Sequence, residues 1–243
     1  MVIAVEANPH LCDLIKARFR EEIERGDLVV ENYVLNSQET AGKVLFYLHK
    51  ENHVLSQFPK PSKELINEFS KIELQAITPM GLFEKYGSPY YVKIDIEHFD
   101  GEILRCLFEN KIYPEYISAE SHDIEIFAIL VALGKYNAFK IVSGESISEK
   151  YKGKSIFSLD GKISKYSFPH HSAGPFGEDI DGEWLSSESM LKKLALDGFG
   201  WKDLHATKNA TGTSSYSLKE EFCKIRTKKR KDRFKRFFRI AYK

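Results

Sequence analysis

Residues 90–97 read Tyr90-Tyr91-Val92-Lys93-Ile94-Asp95-Ile96-Glu97. The run is rich in β-branched and aromatic residues, which marks it as a strand. Strand alternation sets Lys93, Asp95 and Glu97 on one face and Val92, Ile94 and Ile96 on the other. A parallel strand covered on both sides is ordinarily apolar throughout. Charge inside it is costly unless it is paired or used. Two readings follow: an internal salt bridge between Lys93 and Asp95, or a strand end where Asp95 and Glu97 reach a reacting centre. His98 comes next, as a base or substrate ligand in one reading and a solvated loop histidine in the other.

The neighbouring sequence repeats strand and helix. Ile103, Leu104, Leu107 and Phe108 recur at helical spacing, Pro114 interrupts, and Tyr116–Ala119 is a strand ending at Glu120. Asp123 can cap a helix through Leu133, Gly134 stops it, and Phe139–Val142 is a further strand. Upstream, Val2–Val5 is a short apolar strand ending at Glu6. Asn8-Pro9 opens a helix with Leu11, Leu14, Ile15, Phe19 and Ile23 on one face and Gly26 at its end. Leu28–Leu35 and Lys43–Leu48 are β-rich, and 49–70 is polar and ambiguous. The alternation predicts an α/β fold, a largely parallel sheet with helices on both faces. Beyond residue 150 the alternation ends. We therefore expect a sheet domain over 1–165, an irregular extension over 166–217 with a helix near Ser189–Leu196, and a basic tail over 218–243. Thr207–Ser217 reads as a flexible linker.

Composition narrows the class. Hydrophobic residues make up 42% and charged residues 29% of the 243, ordinary for a globular chain. No apolar run reaches the 18 residues that a membrane helix needs. The segment at Met1 has neither the basic nor the apolar region of a signal peptide. Cys12, Cys106 and Cys223 are widely spaced, which predicts reduced thiols and a cytoplasmic protein rather than a zinc site. The net charge of +1 hides an asymmetry: Lys224–Lys243 holds eleven Lys or Arg and one acid, Asp232, and the rest is net acidic. Phe234, Phe237, Phe238 and Ile240 are interleaved with those bases. The tail is either a solvated segment or an amphipathic helix for an anionic membrane; no specific nucleic acid is expected.

Ligands in open α/β sheets bind beyond the carboxyl ends of the strands. Glu6 stands at one such end, where a carboxylate can accept both hydroxyls of a ribose; the alternative is plain helix-entry chemistry with Asn8 as the cap. Asp95, Glu97 and His98 stand at a second end. Glu120-Ser121-His122 stands at a third, where histidine titrates near neutrality, unless Ser121 and Asp123 merely cap the next helix. No HExxH, P-loop, GxSxG or cysteine metal spacing occurs.

Glu6-Ala7-Asn8-Pro9, Glu31-Asn32, Lys93-Ile94-Asp95-Ile96-Glu97, Tyr116–Glu120 and Leu133-Gly134-Lys135-Tyr136 with Phe139-Lys140 together resemble the motif run of FkbM-type methyltransferases, over about residues 2–142. The resemblance implies a Rossmann-like class I sheet, S-adenosyl-L-methionine as methyl donor, and O-methylation of a small-molecule or glycan hydroxyl. By the same resemblance Glu6 and Asn8 belong to the cofactor site with Asn32 near the adenosine. Asp95, Glu97, His98 and His122 belong to the catalytic site, Asp95 or His122 as base, and no metal is implied. Two departures stand out. His98 occupies the place of a family glycine. The family's first strand and glycine-rich turn would precede Val2, and none of the 15 glycines rebuilds that turn. In the class I sheet that strand lies between those ending at Glu6 and Glu97. The two are therefore expected either to leave a strand-wide gap or to pair directly. The alternative function is a non-catalytic, methyltransferase-like binding module.

Overall fold

The computed structural model describes residues 1–39, 42–157, 161–170 and 172–217. Val2–Val5 forms β1. The Asn8 side-chain oxygen then accepts the His10 N–H at 3.0 Å and Pro9 opens helix α1 (Pro9–Arg18), the roles those residues favour at a helix start. A short α2 (Arg20–Glu24) leads to β2 (Leu28–Glu31), which pairs with β1 in parallel, Val2 opposite Leu28 and Val5 opposite Glu31. β3 (Val34–Leu35), β4 (Lys43–His49) and β5 (Phe69–Ile77) form a separate sheet in the order β3-β5-β4.

The alternating block comprises α3 (Pro79–Tyr86), β6 (Tyr91–Ile94), α4 (Asp100–Glu109), β7 (Tyr116–Glu120), α5 (Ile124–Ala132) and β8 (Ala138–Ser143). After it come α6 (Ile147–Lys150), the hairpin β9 (Lys154–Phe157) and β10 (Ile163–Tyr166), then β11 (Leu185–Ser186), α7 (Ser187–Asp197) and β12 (Lys202–Thr207). Five strands make the main sheet in the order β11-β8-β12-β7-β6. β6 and β7 are parallel, and β12 runs antiparallel between β7 and β8.

Several expectations need correction. The main sheet is mixed rather than largely parallel: β6 with β7 is its one parallel pairing among the described residues, and β12 with β7, β12 with β8 and β11 with β8 are antiparallel. The strand over 90–97 ends at Ile94, and Asp95, Ile96 and Glu97 belong to the turn before α4. The charges of Asp95 and Glu97 are therefore not held inside a buried strand. The division at residue 165 cuts the sheet, because β11 and β12 come from the segment taken as an extension. The stretch over 207–217 is tied down: Ser214 bridges Leu185, and the Tyr216 N–H donates to Ser189 Oγ at 2.9 Å.

The core lies under one face of this sheet. Val92 and Ile94 of β6, Ile117 and Ala119 of β7, Leu204 and Ala206 of β12 and Phe139 of β8 meet Ile103, Leu104 and Leu107 of α4, Ile126, Ile129 and Leu130 of α5, and Met190 and Leu194 of α7. Gly134, after α5, is held to glycine by close approach: a Cβ there would press on Phe108, Tyr136 and the Leu130 carbonyl. By alternation the opposite face presents a polar row across four strands, Lys93, Ser118, His205 and Lys140, each opposite the next in register. Helices were expected there too. Instead the short α6 and residues 172–184 cover it: Phe176 stacks on Tyr91 at 4.3 Å, and Ile180 packs with Val142, Ile147 and Tyr151.

β1 and β6 do not pair; among the described residues the one strand partner of β1 is β2 and that of β6 is β7. The residues that follow the two strands line a shared cavity instead. Among the described residues no helix is long and apolar enough to cross a membrane. The basic run Lys224–Lys243 and Cys223 lie outside the described residues.

Candidate functional site

The cavity has a volume of about 440 Å³, within the range of small-molecule sites. It opens where an open α/β sheet places its ligands, beyond the carboxyl ends of strands. Glu6 follows β1, Asp95 and Glu97 follow β6, Glu120 ends β7 and Trp201 precedes β12, and all five line it. Val34, Leu35 and Phe46 of the small sheet and Phe58 form an apolar wall, and His53 is the one basic side chain in the lining.

Glu6 sits in a braced turn. Its Oε1 accepts the Asn8 N–H at 2.7 Å, and its backbone N–H donates to the Glu31 carbonyl at 2.9 Å. Asn32 donates from Nδ2 to the carbonyls of Glu6 and Ala7, both at 2.9 Å, and Cys12 Sγ donates to the Glu6 carbonyl at 3.3 Å. Burial raises the Glu6 carboxyl above its usual range, against the pull of the Asn8 and Ala7 amides. Glu6, Asn8 and Asn32, three residues read separately from sequence, are thus one assembly. Asn8 and Asn32 serve the backbone of the turn, and Glu6 is the member that lines the cavity. Glu31, beside Asn32, is held by Lys85 at 2.5 Å and by the Tyr86 hydroxyl.

The Lys93–Asp95 salt bridge exists at 3.1 Å, and a second, shorter one joins Lys93 to Asp203 of β12 at 2.7 Å. Burial pulls the Lys93 ammonium toward neutrality, but Asp203 and Asp95 outweigh it and hold it charged. Asp95 thus has two roles at once, ion-pair partner and cavity wall. Its side chain keeps 56% of its exposure, against 12% for Asp203.

Two histidine–carboxylate pairs face each other, and their carboxylates, Glu97 and Glu120, line the cavity. His122 Nε2 lies 3.2 Å from Glu120 Oε2 and His98 Nε2 lies 3.9 Å from Glu97 Oε2, with the imidazole centroids 6.1 Å apart. Burial raises both Glu97 and Glu120. His98 adopts φ +62°, the left-handed region that favours glycine. Behind this group Asp100, at the start of α4, is buried with Oδ1 lacking a hydrogen-bond partner. Burial, reinforced by Asp95, pushes its carboxyl up to about 7.

The structure therefore gathers Glu6, Asp95 and Glu97 around one cavity and places His98 and His122 against its carboxylates. Sequence reasoning took Phe199–His205 only as an aromatic segment and gave no site role to Asp203, His205 or Asp100. The signal for the first two was present: in Asp203-Leu204-His205-Ala206 polar and apolar residues alternate with the period of a strand. Among the described residues no three His, Cys, Asp or Glu side chains converge to hold a metal ion. No protein-family model matches the chain, and neither a curated protein nor a solved structure does.

Proposed function

We propose that the protein is an S-adenosylmethionine-dependent O-methyltransferase acting on a hydroxyl of a sugar or related metabolite. One observation carries this reading. A carboxylate suited to a ribose, Glu6, and Glu120, paired with His122 in a group suited to deprotonating a hydroxyl, line the same cavity at the strand ends. The lining carboxylates, with a single histidine for countercharge, also suit a ligand bearing a sulfonium and an ammonium. The left-handed backbone at His98, where FkbM-type chains carry glycine, is a further support.

Bound S-adenosylmethionine supplies an electrophilic methyl group. The chain's own residues do the rest. Glu6 accepts the ribose hydroxyls. His122, oriented by Glu120, would take the proton of the acceptor hydroxyl. Glu97 and His98 orient the acceptor, and Asp95, anchored by Lys93, adds negative charge beside the reacting centre.

Calorimetry of the full chain with S-adenosylhomocysteine tests the reading. We expect binding, weakened about tenfold or more in Glu6→Ala, in line with loss of roughly 1–3 kcal/mol of hydrogen bonding. No binding by the unmodified chain, or equal affinity in the variant, would overturn it.

A further inference from the structure

Trp201 has no part in the chemistry above, yet it lines the cavity beside Glu120 and Glu97 and stays 37% exposed. Its placement is built. The indole lies against the backbone at Gly144, where a Cβ would overlap the ring atoms Cδ2, Cε2 and Nε1. Gly144 is not in the left-handed region; what the site uses is its missing side chain. The Gly144 N–H donates to the Trp201 carbonyl at 3.0 Å, the Gly200 N–H to the Ser121 carbonyl at 3.2 Å, and the Ser121 N–H to the Lys202 carbonyl at 2.8 Å. The backbone on both sides of the indole is thereby fixed to the residue that follows Glu120. His170 meets the ring edge-on, centroids 5.5 Å apart.

We infer that Trp201 is the stacking platform of the acceptor subsite and that the acceptor is a pyranose. The C–H face of a pyranose is slightly positive and meets the negative face of an indole. Ionised Glu97 and Glu120 are acceptors only, and each has one histidine partner, so their remaining lone pairs call for a ligand rich in hydroxyl donors; an apolar acceptor would desolvate them without replacing those bonds. The adenosine is assigned elsewhere. Glu6 lies after β1 among Ala7, Leu11, Val34 and Leu35, whereas Trp201 belongs to the strand ends that carry Glu97 and Glu120. The role of the platform in catalysis rests on the methyltransferase reading; sugar binding does not.

The test uses the full chain, a panel of methyl pyranosides (glucose, galactose, mannose, rhamnose and N-acetylglucosamine) and, separately, S-adenosylhomocysteine. Saturation-transfer NMR and calorimetry follow binding. The chain holds a second tryptophan, Trp184, so the emission of the unmodified chain less that of Trp201→Phe isolates this ring. We expect at least one pyranoside to bind and to perturb the emission. Trp201→Ala and Gly144→Ala should each weaken it tenfold or more, and Trp201→Phe less than threefold, with S-adenosylhomocysteine affinity within twofold throughout. Thermal melts accompany each variant, and Trp201→Phe with the emission change of the unmodified chain decide the matter if an alanine variant fails to fold. Nucleoside binding without any pyranoside binding overturns the platform and leaves the methyltransferase reading standing. Pyranoside binding without nucleoside binding does the reverse. A Trp201→Ala loss confined to S-adenosylhomocysteine also overturns the inference, because the indole would then hold the adenine.

Discussion

Lys93 Nζ lies 2.7 Å from Asp203 Oδ1, so one ion pair joins β6 to β12 across the whole width of β7. Asp203 is the buried partner and Asp95 the exposed one. Removing the buried partner should dominate. We expect Asp203→Ala to cost up to about 3–5 kcal/mol, because it leaves a largely buried ammonium with only the exposed Asp95 as its acidic partner. Asp95→Asn should cost less than about 1 kcal/mol, as for an exposed pair. Urea denaturation of the two variants checks the order; equal losses would mean that Lys93 relies on both acids alike.

Replacing His98 with glycine separates stability from use. A non-glycine residue at φ +62° carries backbone strain, on the order of 1 kcal/mol. His98→Gly should therefore melt at a temperature no lower than the unmodified chain. Under the proposed function its methyl-transfer rate should drop at least tenfold. Unchanged turnover would remove His98 from acceptor positioning.

Asp100 predicts a loss of stability as pH rises from about 4 to about 7. Its folded carboxyl keeps a proton up to about 7, against about 3.9 when unfolded. Between those values the folded state binds more protons, so stability falls as pH rises through the window. Asp100→Asn removes this slope and should gain on the order of 2–4 kcal/mol at pH 8 relative to pH 4. Chemical denaturation at the two pH values reads it.

His205 acts in the opposite sense. Burial first, then the charges of Lys93 and Lys140 beside it, push the imidazole down to about 3, and its Nε2 has no hydrogen-bond partner. Unfolded, it takes a proton near pH 6.5. Stability that is present above that value is therefore lost as pH falls toward 3. His205→Phe should flatten the acid limb of the stability profile while leaving pH 8 nearly unchanged. Between about pH 4 and 6.5 the slopes of Asp100 and His205 oppose each other, so each single variant should expose the other's.

The sequence was legible where local rules and tertiary demands agreed. The helix with Ile103, Leu104, Leu107 and Phe108 on one face, the Asn8 and Asp123 caps and the strand ending at Glu120 need only nearest neighbours to be specified. Legibility failed at Asp95–Glu97, where a period-2 pattern continued past the end of the ladder: β7 offers partners for Tyr91–Ile94 and no further. β5 was missed because a strand exposed on one side reads as polar, with Ile72, Leu74 and Ala76 diluted among charged residues. The carboxylates of the candidate site were visible as strand-end acids. Their convergence on one cavity, and the part played by Asp203 and Trp201, depend on pairing between residues far apart in sequence.

The reversed strand β12 has a consequence for how the molecule is made. Ala119 and Ile141 both flank Leu204, so the middle of the main sheet is its last strand in chain order. During synthesis β7 and β8 emerge with their facing edges open and their apolar faces only partly covered, and they must wait for residues 202–207 before the ladder closes. Such late, long-range closure slows folding and prolongs the exposure of strand edges. A chain arrested before residue 202 would hold β7 and β8 with two unpaired facing edges, the form of a sheet most prone to aggregate.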